Sequence, residues 1–463
     1  MDVENQNSLP LARPAYRNRW RNLFSAKGLY ESLQPLFLLL YWHGLMVYSI
    51  KANADGKKEL RHSLWSHLNV FFHLTLYIVC YIMTLMNNFE SVAGYFFQSK
   101  ISRFGDFMQI LSGFIGVTVI YITAIIPKHY VQNCLQFIQE IDQCLLRVGV
   151  RIMYSKILRY SCIFIVAMIL IDILYTAASF QILKSANEEP SLYLHITFIL
   201  QHTVVLTAIA MFSCFTKLIE ARFTMLHKVL QNLYHQWETR NIKTLSRKQR
   251  SLQCFDSFST QTIASKSPCE IVQESMEIHQ LICEAASMAN KYFTCQLLTI
   301  ISTAFLIIVF DAYYVLETLL GKSRRESKFK TIEFVTFFSC QMILYVIAII
   351  SVVEGSNRTI KKSEKTGSIV HALLNRAKTL DVKEKLQQFS MQLMHLKINF
   401  TAGGLFNIDR SLYFTISGAL TTYLTILLQF TANSPSGLSQ DCVVKQPMTS
   451  LSLPPVLINS TSI

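Results

Sequence analysis

The stretch Thr421–Phe430, TTYLTILLQF, is apolar enough to lie in lipid, yet it sets Thr422, Thr425 and Gln429 along one side. Hydroxyls and amides lose their water on entering hydrocarbon, so each of these groups needs a partner. Upstream, the same side continues through Gly418 to Thr415, and the steps from Thr415 to Gln429 are 3, 4, 3 and 4. That rhythm keeps all five residues on one narrow helical face, while Leu420, Leu424, Leu427 and Leu428 fall elsewhere. Two readings fit the spacing equally: a stripe that bonds this helix to its neighbours, or one that faces water.

The rest of the chain decides what surrounds that helix. Of its 463 residues, 51% are hydrophobic and only 16% are charged, against about 25% charged in an average soluble domain. Lys and Arg outnumber Asp and Glu by 43 to 29, a net charge of +14. In a membrane protein such a surplus collects on the cytoplasmic side and faces anionic lipid, so nucleic acid is not the expected partner. The 11 cysteines contain no C-x-x-C pair and read as free thiols packed as small hydrophobes, with no metal site. The N-terminal segment lacks the short apolar core of a cleaved signal peptide.

A spanning helix needs about 20 mostly apolar residues. Seven segments qualify: Trp65–Leu85, Met108–Ile126, Ile157–Ile182, Tyr193–Thr216, Phe293–Leu316, Ile332–Val353 and Ser411–Phe430. An eighth, Leu33–Ile50, is interrupted by Gln34, Pro35, His43 and Gly44 and reads as a helix at the cytoplasmic interface. With the N-terminus inside, inner segments carry 33 Lys and Arg against 9 outside; omitting the long segment 217–291 still leaves 23 against 9. The N-terminus is therefore cytoplasmic and the C-terminus extracellular, although GKSRRESKFK at 321–330 puts one basic cluster outside. This orientation is opposite to that of a G-protein-coupled receptor, and the D-R-Y and N-P-x-x-Y motifs of those receptors are missing from the sequence.

On the inner side, apolar residues at helical spacing extend spans four and five below the membrane, separated by a polar segment that Pro268 interrupts and that reads as a mobile loop. Residues 382–398, VKEKLQQFSMQLMHLKI, form a further amphipathic helix. Its Phe389, Met391, Leu393 and Leu396 are too apolar for a linker and are expected to be buried at least partly against the inner extensions and neighbouring subunits. Gly403 and Gly404 then break the helix, and Asn407 and Asp409 can cap the last span.

No catalytic constellation is present: neither G-x-G-x-x-G nor H-E-x-x-H occurs, and GKS at 321–323 lacks the upstream glycine of a phosphate loop. The protein is not expected to be an enzyme or to need a cofactor. What remains is a set of polar residues inside spans: Asp172, Gln201, His202, Asp311, Gln341 and Tyr345. Such groups face a bundle interior or a water cavity. They serve either as interhelical hydrogen bonds or as a ligand pocket in the outer half of the bundle, for which His202, Asp311, Tyr313, Tyr314, Gln341 and Tyr345 are the candidates. Asp172 lies deeper and reads as structural.

Thr422-Tyr423, five mostly apolar residues, then Gln429-Phe430 resembles T-Y-(five hydrophobic)-Q-F, the signature of insect gustatory receptors. The upstream AGGLFNIDRSLYFTISGAL is similar to that family's C-terminal region, and FDAYYVLETLL, VEGSNRTI and HLKINFTAGGLFNIDR resemble its gustatory receptor 28 branch in flies. The resemblance implies an all-α membrane protein of seven spans forming a tetrameric, ligand-gated, non-selective cation channel. It implies that the last helix of each subunit lines the pore, with Gln429 and Phe430 at the narrow outer gate and Thr415, Gly418, Thr422 and Thr425 along the lumen. Inner extensions and the helix before span seven would join the subunits, as a homotetramer or as a heteromer with other gustatory receptors. The stimulus would be a small-molecule tastant, warmth or light, at the plasma membrane of sensory neurons.

The implied organisation is a cytoplasmic N-terminus with interfacial helix (1–63), spans one to four (64–217), cytoplasmic extensions and loop (218–291), spans five and six (292–354), an anchor helix and glycine hinge (355–408), the pore helix (409–430) and an extracellular disordered tail (431–463). The alternatives are a seven-helix receptor signalling through an intracellular partner and a transporter. The latter would show two related halves with broken helices, and no such repeat is visible.

The orientation makes a chemical prediction. Of the glycosylation acceptors Asn357, Asn399 and Asn459, only Asn459 should carry sugar, because the other two face the cytosol. Glycan mapping by mass spectrometry checks this, and sugar on Asn357 or Asn399 would invert the topology.

Overall fold

A computed structural model of the chain describes residue 26 and residues 28–52, 58–86, 100–185, 192–241, 266–320 and 328–433. Two short helices, α1 (Leu29–Ser32) and α2 (Gln34–Trp42), lead into an antiparallel hairpin of β1 (Tyr48–Ala52) and β2 (Lys58–His62). There follow α3 (Leu64–Met86), α4 (Lys100–Ile125), α5 (Lys128–Arg147), α6 (Tyr154–Ser185), α7 (Leu192–Asn241), α8 (Pro268–Leu319), α9 (Lys328–Leu374) and α10 (Leu380–His395). A second small hairpin, β3 (Thr401–Ala402) with β4 (Phe406–Asn407), precedes α11 (Ser411–Asn433). Hydrocarbon satisfies no backbone group, so a chain this apolar crosses it as helices. Seven are long and apolar enough among the described residues: α3, α4, α6, α7, α8, α9 and α11. The seven expected spans fall within them, apart from Ile126 at the end of the second.

The interfacial helix expected over Leu33–Ile50 ends at Trp42. Gly44 takes a left-handed φ of +65°, and a Cβ there would come within 2.7 Å of the His73 ring. The chain turns at that glycine, and Tyr48–Ala52 enters a ladder with Lys58–His62 instead of continuing the helix. α2 buries Leu36, Phe37 and Leu40 and exposes Leu38 and Trp42. That division suits a helix lying between bundle and lipid.

The helices α7, α8 and α9 have 50, 52 and 47 residues. At about 1.5 Å per residue each exceeds twice the roughly 30 Å hydrocarbon thickness, so each carries a long extension beyond the membrane. Pro268 does not interrupt a loop. It is the first residue of α8, where a missing N–H is harmless, and Ser267 and Glu270 complete a reciprocal capping box around it. Length and apolarity alone do not mark residues 127–156 as more than an inner connection. Yet α5 lies there, burying Val131, Leu135, Ile138, Ile141 and Leu145 at steps of three and four against the α8 side of the core. The polar segment around 242–265 and the tail after residue 433, including Asn459, lie outside the described residues.

One ion pair ties this layer to the spans. Arg222 on α7 is fully buried and bonds Asp142 on α5 through both carboxylate oxygens, at 3.0 and 2.8 Å. Tyr154, at the start of α6, donates its hydroxyl to the same carboxylate at 2.8 Å. The bidentate geometry and the third donor leave the charges compensated.

α10 buries Val382, Leu386 and Phe389 completely or nearly so, and half-buries Leu393 and Leu396. Met391, expected among the buried residues, is exposed on the protomer together with Met394. The helix ends at His395, ahead of the glycines expected to break it; Gly403 and Gly404, with φ of +61° and +72°, instead form the turn between β3 and β4. Asp409 caps α11, accepting from the Ser411 amide at 2.8 Å, whereas Asn407 lies in the β3–β4 ladder.

Removing one partner of a buried pair strands the other charge, at a cost of about 3–5 kcal/mol. Asp142→Asn should therefore lower the thermal unfolding midpoint in detergent sharply. Adding Arg222→Met to Asp142→Asn should recover part of the loss, as followed by size-exclusion after heating.

Candidate functional site

On α11 the polar stripe and the packed face are opposite. Leu420, Leu424, Leu427 and Leu428 are half-buried against the protomer, and Thr415, Gly418, Thr422, Thr425 and Gln429 are all exposed. Only 6% of this span is buried, against 72% of the most buried span, within α7. The hydroxyls bond their own helix: Thr422 donates to the Gly418 carbonyl at 2.9 Å and Thr425 to the Thr421 carbonyl at 2.8 Å. Their protons are thus spent on the backbone, and the oxygen lone pairs face outward. Within the protomer the hydroxyls are not used to join α11 to other helices. Phe430 is exposed beside Gln429, roughly 100° around the helix from it. At the base, Arg410 makes a bidentate pair with Glu354 on α9, at 2.9 and 3.0 Å.

The intramembrane polar candidates form a second, contiguous group in the bundle. Tyr345 on α9 donates to His202 Nε2 on α7 at 3.3 Å, and His202 Nδ1 lies 2.9 Å from the Phe198 carbonyl, which fixes the proton on Nδ1. The Tyr175 ring of α6 lies tilted against His202, with ring centroids 4.5 Å apart. These side chains, with Asp172, Leu206 and Leu344, line a cavity of about 20 Å³, enough for one water. Asp172, expected to be structural, is on the wall of this cavity, and its Oδ1 has no partner. Gln341 is buried one turn before Tyr345 on the same face of α9.

Asp311 sits apart from that cavity, on the seam between α8 and α4. It is fully buried; Gln109 donates to its Oδ1 at 3.0 Å, and Oδ2 is unpaired. Tyr313 and Tyr314 do not face the cavity either. They join Phe310, Phe337, Phe338 and Tyr175 in an aromatic cluster, with Tyr314 and Phe338 centroids 5.3 Å apart. Tyr175 belongs to both groups and makes them continuous. The α11 residues Leu424, Leu427 and Leu428 pack on the same cluster.

Sequence reasoning missed the α4 contribution. Besides Gln109, a Cβ at Gly113 would come within 2.2 Å of the Gln201 amide, and one at Gly105 within 2.5 Å of Phe310 and Tyr314. Gly105, Gly113 and Gly116 share one side of the helix, which is a readable sign of close helix packing in membranes.

Comparison with known proteins bears on the family and the fold. The profile of the family described as 7tm Chemosensory receptor matches residues 33–434. The relative named gustatory receptor 28b of Drosophila melanogaster is 64% identical over 421 residues, covering 91% of this chain and 90% of that one. Gustatory receptor 28a of the same fly is 32% identical over 426 residues, covering 89% and 94%. Among solved structures, the insect olfactory receptor OR5 from Machilis hrabei shares the fold with a TM-score of 0.57 at 12% identity, covering 90% of this chain and 99% of that one. The same receptor in complex with eugenol gives a TM-score of 0.56.

The His202–Tyr345 bond should show in a double-mutant cycle. Tyr345→Phe and His202→Phe should each cost about 0.6–1.7 kcal/mol of stability. The double variant should lose clearly less than the sum, as read from detergent unfolding.

Proposed function

This chain belongs to the 7tm chemosensory receptor family, in its gustatory receptor 28 branch, and from that premise we propose that it is a ligand-gated, non-selective cation channel of four subunits. The observation that carries the reading is the direction of the α11 stripe. One helix cannot enclose water, but four around an axis turn Thr415, Gly418, Thr422, Thr425 and Gln429 to a common lumen and keep the leucines on their own protomers. Outward lone pairs on Thr422 and Thr425 suit cations. The stripe holds no Asp or Glu, so discrimination among small cations is weak. Gln429 and Phe430 form the gate, which closes by dewetting at the ring and opens when a small rotation substitutes the amide. The exposed Met391 and Met394 of α10 supply contact surface between subunits below the membrane. The receptor acts at the plasma membrane of sensory neurons.

His202, Tyr345 and Asp172 form the stimulus chamber, with Tyr175 joining it to Gln341, Asp311, Tyr313 and Tyr314. A cavity of about 20 Å³ holds no organic molecule the size of the eugenol bound by OR5. A small-molecule tastant therefore binds only a state in which α6, α7 and α9 have moved apart. Preference for that state is the differential affinity that a ligand needs to shift an equilibrium. Warmth or light would act on the same equilibrium without occupying the chamber.

Whole-cell recording from cells expressing only this chain, with surface protein quantified, tests the pore. Phe430→Ala should raise unstimulated current. Gln429→Glu places a ring of carboxylates at the gate and should shift the reversal potential towards calcium. Gln429→Leu should reach the surface and conduct less. A Gln429→Glu channel of normal abundance with unaltered permeability ratios would sink the pore assignment for that residue.

A further inference from the structure

The β1–β2 hairpin and the start of α5 assemble a basic group that the channel reading does not use. Lys128, the first residue of α5, follows span two where it leaves the membrane, on the side that the Lys and Arg count makes cytoplasmic. Its Nζ lies 3.2 Å from His67 Nε2, and its carbonyl accepts from the Tyr48 hydroxyl at 2.5 Å. His67 Nδ1 is 2.8 Å from the Ser63 carbonyl, so it donates there and its Nε2 is a neutral acceptor for the ammonium. The His62 ring stands 6.2 Å from the His67 ring and 5.2 Å from Tyr48. Among the described residues no carboxylate pairs with Lys128, whereas the buried Arg222 and the exposed Arg410 each hold one bidentate. Glu59 stands across the ladder from Lys51. Lys128 therefore keeps two of its three N–H donors unspent beside two imidazoles, with the exposed Arg61 next to His62.

The surroundings show which anion can reach it. Leu64, Trp65 and Trp42 are 84%, 80% and 71% exposed. Asn69 near the start of α3 donates to the Tyr41 carbonyl at 2.7 Å, which brings the end of α2, with Trp42, up to span one. Tryptophan at the end of a span belongs at headgroup level, so the basic group opens at the depth of the inner-leaflet phosphates. The geometry points to an anionic-phospholipid site at this hairpin, in which Lys128, Arg61 and His62 hold the headgroup phosphate and Trp42 and Trp65 seat the glycerol and acyl region. His67 is a positioning residue that fixes the Lys128 ammonium. The site couples the hairpin, α3 and α5 to the composition of the cytoplasmic leaflet.

The test uses the full chain in nanodiscs of phosphatidylcholine doped with phosphatidylinositol phosphate, then exchanged into detergent. The phosphoinositide retained per protomer is read by mass spectrometry. Retention should fall about fivefold in Lys128→Ala, the loss expected for one basic residue at an anionic surface. It should fall similarly in Arg61→Gln and stay unchanged in Lys128→Arg and in Lys383→Ala, a charge-matched change on α10. Equal retention by wild type and Lys128→Ala overturns the site, and so does an equal fall in Lys383→Ala, which would mean diffuse attraction. Displacement of the lipid by inorganic phosphate alone would reassign it as a soluble-anion site. If Lys128→Ala does not fold, Arg61→Gln on the exposed hairpin decides, and its full retention refutes the proposal.

Discussion

Hydrocarbon offers no hydrogen bonds, and that constraint sorts the polar side chains of this protein into distinct fates. Thr84, Thr197 and Thr203 turn back onto the carbonyl one turn earlier in their own helices. Other groups cross between helices, as Gln109 does to Asp311 and Gln296 does to Thr123 at 2.8 Å. One ion pair lies beyond the apolar layer, where Arg222, Asp142 and Tyr154 satisfy one another. The α11 hydroxyls satisfy their protons locally but leave an outward-facing row of oxygens and one amide that nothing in the protomer covers. Among the described residues, the protomer therefore leaves this polar face of α11 uncovered.

The same constraint explains the length of α7, α8 and α9. Helices that stopped at the membrane would offer only short loops as a platform for α5 and α10. By continuing, they carry a contiguous apolar core beyond the membrane, from Phe212 and Phe293 near the spans to Phe223, Ile282, Leu386 and Phe389 farther along. The β3–β4 turn is fastened to this column, not to α11. Thr401 N–H bonds Asn290 at 3.0 Å and Gly403 N–H bonds Thr294 at 2.9 Å. α11 thus starts from a fixed base through two glycines whose backbone few other residues could adopt.

How much of this the sequence carried depends on the period of the signal. Spans were legible because, in a protein so poor in charge, a run of about twenty apolar residues has little use outside lipid. The stripe was legible because steps of three and four survive any choice of neighbours. Sustained apolarity could not reveal α5, which alternates buried Ile138 and Ile141 with polar Gln139 and Glu140. Periodicity could have found it. The hairpin could not be anticipated in the same way, because the strand at Tyr48–Ala52 depends on a partner ten residues on and on the sharp turn at Gly44. In the chamber, the residue types of His202 and Tyr345 were legible but their company was not. Asp172 and Tyr175 join them because α6 packs beside α7, a tertiary fact with no local signal.

A chamber and a gate on different helices act together only if something with two arrangements responds to both. The contacts here are specific. Tyr175 is on the chamber wall and in the aromatic cluster, and Leu424, Leu427 and Leu428 pack on that cluster from the face of α11 opposite the stripe. Separating α6 from α9 to admit a ligand must displace Tyr175 from Phe337, whose centroids lie 5.9 Å apart. A close-packed interior cannot absorb such a shift without moving its neighbours. Those neighbours include the least buried span of the molecule, held at its base by the Asp409 cap and the Arg410–Glu354 pair. A helix fixed at one end and lightly packed along its length yields by rotating. In the channel proposed above, rotation would exchange Phe430 for Gln429 on the axis. In the proposed channel, the opposition of leucine face and polar face on α11 is therefore what lets one packing change in the bundle alter the lining of the pore.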